Sequence, residues 1–120
     1  MSIAIDEHGV VLAALTDDGL RADLESLLTL VTLDLPRPPR IVLDLDGVRY
    51  FNSSCIARLL RLRQAVGQAG GVVVIAGASG HVSTLLGLTG LDKVFRLADT
   101  RAAAIRLVWE NHDGAGSPPK

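Results

Sequence analysis

The stretch Ile41-Val42-Leu43-Asp44-Leu45-Asp46-Gly47-Val48-Arg49-Tyr50-Phe51-Asn52-Ser53-Ser54-Cys55 reads as a buried strand, a short loop and the first turn of a helix. Alternation puts Ile41, Leu43 and Leu45 on one face of the strand and Val42, Asp44 and Asp46 on the other. Gly47 breaks the run. Asn52, Ser53 and Ser54 are all residue types that accept hydrogen bonds from the free N–H groups of a helix start. Such a turn aims bare donors and the positive end of a helix dipole at whatever Ser53 or Ser54 carries.

The rest of the chain frames this stretch. Ile3–Asp6 and Val10–Leu15 read as two strands of a hairpin, with Gly9 at the turn. Thr16-Asp17-Asp18-Gly19 reads as a loop and helix cap. A helix from Leu20 puts Leu24, Leu27, Leu28 and Val31 on one side. Pro36, Pro38 and Pro39 end it and force an extended connection. After the central strand, a helix over 54–69 has Cys55, Leu59, Leu62, Val66 and Ala69 as its inner seam. Gly70-Gly71 stops it. Val72–Ala76 is an apolar run of the kind buried on both faces. Helix 81–89 follows, ended by Gly90 with Leu91 folding back onto Leu86. Val94–Leu97 reads as a last strand. Asp99 or Thr100 caps a final helix reaching Glu110, with Ile105, Val108 and Trp109 as its apolar side. Asn111–Lys120 has no periodicity and reads as a disordered C-terminal tail.

The order β-β-α-β-α-β-α-β-α predicts an α/β fold: one domain over 1–110, with a mixed sheet of four to five strands and helices mainly on one face.

Composition narrows the function. The chain has 120 residues, 48% hydrophobic and 21% charged, with mean hydropathy +0.35 and net charge −1. That suits one well-filled domain. No basic cluster in the sequence favours nucleic acid as a partner. One cysteine allows no internal disulfide and fits a reducing compartment. No signal-peptide pattern and no apolar run of spanning length is present, so a cytoplasmic location without membrane insertion is expected. His8, His81 and His112 have no metal-ligand spacing.

Three families share features with the central stretch. Leu-Asp-Leu-Asp-Gly after an apolar strand resembles the opening motif of haloacid dehalogenase-type phosphatases. By that resemblance Asp44 would be the nucleophile and Asp46 the acid, with magnesium between carboxylates. Val48 stands where that family has Thr, and Asp92, Asp99 and Asp113 are isolated rather than paired for a metal. Asp17-Asp18, Asp44 and Lys93 imitate a receiver domain, but the interval from Asp18 to Asp44 lacks a strand that a receiver needs.

The third resemblance covers nearly the whole chain. The segment from Val42 to Ser54, the Leu-rich helix, Gly-Gly-Val-Val-Val-Ile-Ala, and Leu-Thr-Gly-Leu-Asp-Lys-Val-Phe together resemble the STAS family of bacterial anti-sigma factor antagonists. The resemblance implies a non-enzymatic protein without cofactor or metal, a monomer or weak dimer. Such proteins bind an anti-sigma factor that is also a serine kinase. Phosphorylation of a serine at the start of the second helix releases them, and a serine phosphatase resets them. The family motif Asp-Ser-Ser/Thr-Gly places the acceptor at Ser53, with Ser54 as second choice. Asn52 stands where the family has Asp, and Cys55 where it has Gly. Asn52, Ser53, Ser54, Tyr50 and Asp18 are the partner-binding residues the resemblance implies. STAS modules also serve as non-phosphorylated subunits of lipid-transport or stress-sensing complexes. The bland reading of Ser53 and Ser54 is that they only cap a helix.

Overall fold

The computed structural model describes residues 1–33 and 38–115, with side chains through Trp109. Pro36 and residues 116–120 lie outside the described residues. In chain order the elements are β1 (Ser2–Ile5), β2 (Val10–Thr16), α1 (Leu20–Leu33), β3 (Arg40–Gly47), α2 (Ser53–Gln68), β4 (Val72–Ala76), α3 (Gly80–Thr89), a 3-10 turn (Leu91–Lys93), β5 (Arg96–Ala98) and α4 (Arg101–Ala115). The strands lie in sequence order in one sheet, with β1 antiparallel to β2 and every other pair parallel.

The alternation in β3 sorts the core into two layers. Ile41, Leu43 and Leu45 join Val11, Ala13, Leu15, Val73 and Ile75 beneath α1, α2 and α3. Val42 joins Val10, Val74 and Ala76 beneath α4. All five residues of β4 are buried. Three helices therefore cover one face and a single helix the other, as the sequence predicts.

The helix ends follow local rules. In α2 the amide of Gly70 bonds to the Gly67 carbonyl and that of Gly71 to the Val66 carbonyl, a Schellman ending. Gly71 is required by contact: a Cβ there would sit 1.9 Å from the Pro39 carbonyl oxygen. Gly90 adopts the expected left-handed conformation (φ 78°), and Leu86 and Leu91 are both buried. Thr100, rather than Asp99, caps α4, its hydroxyl oxygen accepting from the Ala103 amide at 3.1 Å.

Two boundaries differ from the sequence reading. Val94 and Phe95 belong to the tight turn rather than to a strand, with the amides of both bonded to the Leu91 carbonyl, so β5 has only three residues. The final helix continues past Glu110 to Ala115. The Ala-rich start of α4 packs Ala104 fully against the sheet, which lets the helix lie close.

Gly71→Ala should lower the unfolding free energy by about 1–3 kcal/mol, the usual cost of forced overpacking. Gly67→Ala, in the last turn of α2 with open space around it, should be neutral or stabilising by up to about 1 kcal/mol. Urea titration of both variants measures the contrast.

Candidate functional site

Parallel strands β2, β3 and β4 all end at the same rim of the sheet, where ligands and partners of open α/β sheets commonly dock. The loop from Val48 to Asn52 emerges there. Val48 and Phe51 turn inward and are buried, whereas Arg49, Tyr50 and Asn52 face solvent. Two apolar anchors thus fix the loop and leave its polar residues outside.

Asn52 caps α2. Its backbone is extended (φ −127°, ψ 177°), and its side-chain oxygen accepts from the Cys55 amide at 3.0 Å. The neutral amide therefore does the capping that the family's Asp would do. Ser53 is the first residue of the helix, and its hydroxyl is exposed with no hydrogen bond among the described residues. Ser54 is half-buried and engaged. Arg58, one turn on, donates from Nη1 to the Ser54 hydroxyl oxygen at 2.6 Å and to its carbonyl at 3.1 Å. Glu25 on α1 holds the same guanidinium, with Oε2 at 2.7 Å from both Nε and Nη2. Cys55 points into the core at 5% exposure, so its thiol occupies none of the outer surface around Ser53.

Tyr50 is 71% exposed, its ring 6.2 Å from that of His81 at the start of α3. His81 Nε2 lies 3.4 Å from the Phe51 carbonyl oxygen. Tyr50, Asn52 and Ser53 therefore share one solvent-facing rim, with Ser54 behind them. Asp18 is exposed on the neighbouring β2–α1 loop and makes no side-chain hydrogen bond among the described residues. Its neighbour does the structural work. Asp17 Oδ1 accepts from the amides of Arg49 at 2.9 Å and Tyr50 at 3.2 Å, tying the two loops together. Sequence reasoning assigned Asp17 to a helix cap and did not find this link.

The other two constellations fall apart in space. Asp44 faces α4, where Oδ2 meets Arg101 Nε at 2.5 Å and Oδ1 accepts from the Asp46 amide at 2.9 Å. Asp46 is exposed near the end of β3. Among the described residues no group of three or more His, Cys, Asp or Glu is placed to hold a metal. Lys93 precedes β5 and so lies at the sheet edge opposite the end of β3 that carries Asp44. No described helix is long and apolar enough to cross a membrane.

A family model described as the STAS domain matches residues 6–104. An anti-sigma-factor antagonist (STAS) domain protein from Planctomyces limnophilus superposes with a TM-score of 0.76 at 20% identity, over 89% of this chain and 96% of its own. A putative anti-sigma factor antagonist from Thermotoga maritima gives 0.75 at 19% identity, over 89% and 92%. The Bacillus cell fate determinant SpoIIAA in its phosphorylated form gives 0.66 at 14% identity, over 89% and 97%. At these identities the likeness is one of fold.

Asp17→Ala should speed hydrogen exchange at the Arg49 and Tyr50 amides by about tenfold or more, since each loses a charge-assisted bond. Amides in the middle of β3 should show no comparable selective change. Asn52→Ala should cost about 1 kcal/mol in urea unfolding, and Asn52→Asp should cost nothing, because both native and aspartate side chains cap.

Proposed function

We propose that this chain, which belongs to the STAS domain family, is an anti-sigma factor antagonist gated by phosphorylation at Ser53. In its unmodified state it binds an anti-sigma factor that is also a serine kinase. The kinase transfers a phosphoryl group to Ser53, the complex dissociates, and a serine phosphatase restores the binding form. The observation that carries this reading is the Ser53 hydroxyl, exposed and uncommitted at the start of α2.

The chemistry of the two serines favours Ser53 over Ser54. Ser54 accepts a short bond from Arg58 and is partly covered. A kinase would have to break that contact to align the hydroxyl for attack. Ser53 has no such contact to lose. Asn52 contributes the cap and, being uncharged, leaves no carboxylate beside the incoming phosphate. Cys55, directed inward, leaves the approach to Ser53 open.

The effect of the modification follows from its charge. A phosphoserine carries about −1.5 to −2 charges and three strong acceptor oxygens. At the first position of a helix this charge meets free amides and the positive dipole end, so the domain tolerates it. At a partner surface shaped for a neutral hydroxyl and for Tyr50 and Asn52, the same group adds bulk and a desolvation cost. A loss of about 3 kcal/mol is more than a hundredfold in affinity. A local charge change is thereby read out as binding.

Ser53→Asp should weaken binding to the cognate kinase by about tenfold or more, whereas Ser53→Ala should bind about as well as the native protein and take up no phosphate. Calorimetric titration and intact-mass measurement after incubation with ATP separate the two. Tight binding by Ser53→Asp, or phosphate found at Ser54 in the native chain, would contradict the assignment.

A further inference from the structure

The sheet has two outer strands, and they are built differently. β5 has three residues, one of them the cation Arg96. Short length and charge both discourage a further strand from pairing. β1, Ser2-Ile3-Ala4-Ile5, has no charge and no proline, and its register on β2 runs without a bulge. All four of its residues are exposed. Apart from its length, β1 carries none of the devices that keep an edge from pairing.

The hairpin sets the direction of its backbone groups. The Asp6 amide donates to the Val10 carbonyl at 2.9 Å, so residue 6 points its backbone groups at β2. Alternation along the strand turns those of Ser2 and Ala4 the same way and those of Ile3 and Ile5 outward. The side chains are sorted too. Ile3 and Ile5 stand opposite Ala13 and Val11, on the face that α1, α2 and α3 cover. They carry that apolar layer past its cover, Ile3 remaining 37% and Ile5 52% exposed. One edge therefore offers outward amides, outward carbonyls and two isoleucines within one short strand.

We propose that β1 pairs with β1 of a second copy of this chain, antiparallel about a two-fold axis at Ala4, joining the two sheets into one. In this register Ile3 of each copy lies opposite Ile5 of the other, and both pairs exchange their backbone hydrogen bonds. The isoleucines of the two copies form one patch on the face that bears α1, α2 and α3. The two Ala4 residues meet on the opposite face. Charge favours this direction. The Met1 ammonium, held by Asp23 at 3.3 Å, lies at one end of β1, and the exposed Glu7 carboxylate lies just past the other. Antiparallel pairing sets Met1 of one copy opposite Glu7 of the other, whereas parallel pairing would set like ends together. A two-fold contact of this kind closes on itself and stops at two copies. So short a strand pair falls below the roughly 1,200 Å² of a stable complex, so the dimer is weak. The Ser53 rim lies two strands away, and the axis turns the two rims to opposite ends of the joined sheet. Pairing does not depend on phosphorylation of Ser53.

The test is sedimentation equilibrium of the full chain from about 10 μM to about 1 mM, the range where a small interface associates. The mean mass should rise towards that of a dimer and no further. Over the same range, hydrogen exchange should slow at the Ile3 and Ile5 amides and stay unchanged at Ala4, whose amide already faces β2. Ile5→Lys should weaken association by about tenfold or more, since it places charge on the edge. Leu88→Lys, at a residue 80% exposed on α3, should leave association unchanged. Ala4→Cys should cross-link on mild oxidation, because residues opposed without exchanged bonds bring their Cα atoms to about 4.5 Å. Ser2→Cys, about 13 Å from its mate in this register, should not. Cys55 is buried and adds no background. Thermal midpoints establish that each variant is folded. The proposal is overturned if the native chain stays monomeric throughout, if Ile5→Lys associates as well as the native chain, or if exchange slows elsewhere instead of at Ile3 and Ile5. Cross-linking of Ser2→Cys in place of Ala4→Cys would overturn the register.

Discussion

From Ile41 to Leu45 the strand β3 has almost no solvent-facing side, and that constraint organises the molecule. Ile41, Leu43 and Leu45 need cover from one layer and Val42 from the other, so helices must pack on both faces of the sheet. Full burial of each such side chain is worth about 1.5–3 kcal/mol, so slipping the strand by one residue would forfeit most of the core at once. With register fixed this firmly, the point where the chain leaves the sheet is fixed too. Val48 and Phe51 then pin the loop, Asp17 ties it to the neighbouring turn, and Asn52 starts α2 at a set place. The position of Ser53 is thus inherited from the core.

The same rim sets an engaged serine beside an uncommitted one. Both residues lie where a helix offers unpaired amides, but their surroundings differ. Arg58 and Glu25 join Ser54 to α1 through a short, charged network. Ser53 stands outside that network. An added dianion at 53 meets a favourable helix end and no fixed carboxylate in the first turn of α2. A phosphoryl group there changes the surface while leaving its supports in place. That combination suits a switch whose output is association rather than folding.

Much of this was legible in the sequence because the signals are local. Alternation in Ile41–Leu45, the breaker Gly47, the cap Asn52 and the paired Gly70-Gly71 each act within a few residues, and each sits where its chemistry requires. The Schellman ending and the two core layers follow directly. What escaped depends on long-range contact or on competition between similar local forms. Val94 and Phe95 look like strand residues, but their amides close a 3-10 turn on Leu91. Asp17 reads as a helix cap, yet its carboxylate reaches Arg49 and Tyr50 across 32 and 33 residues of chain. Arg58 could have been suspected, being four residues after Ser54 and so on the same helix face. Its second partner, Glu25, lies on another helix and left no local signal.

The most direct test is the thermal stability of the protein carrying phosphoserine at position 53, installed during synthesis so that no kinase is needed, together with its amide spectrum. The account predicts an unfolding midpoint equal to or above that of the unmodified protein, consistent with about 0.3–1 kcal/mol of favourable charge at a helix start. Spectral changes should be confined to the start of α2 and the two loops beside it. A midpoint lowered by many degrees, or changes spread through β3 and β4, would contradict it, because the modification would then be disrupting the fold rather than changing its surface.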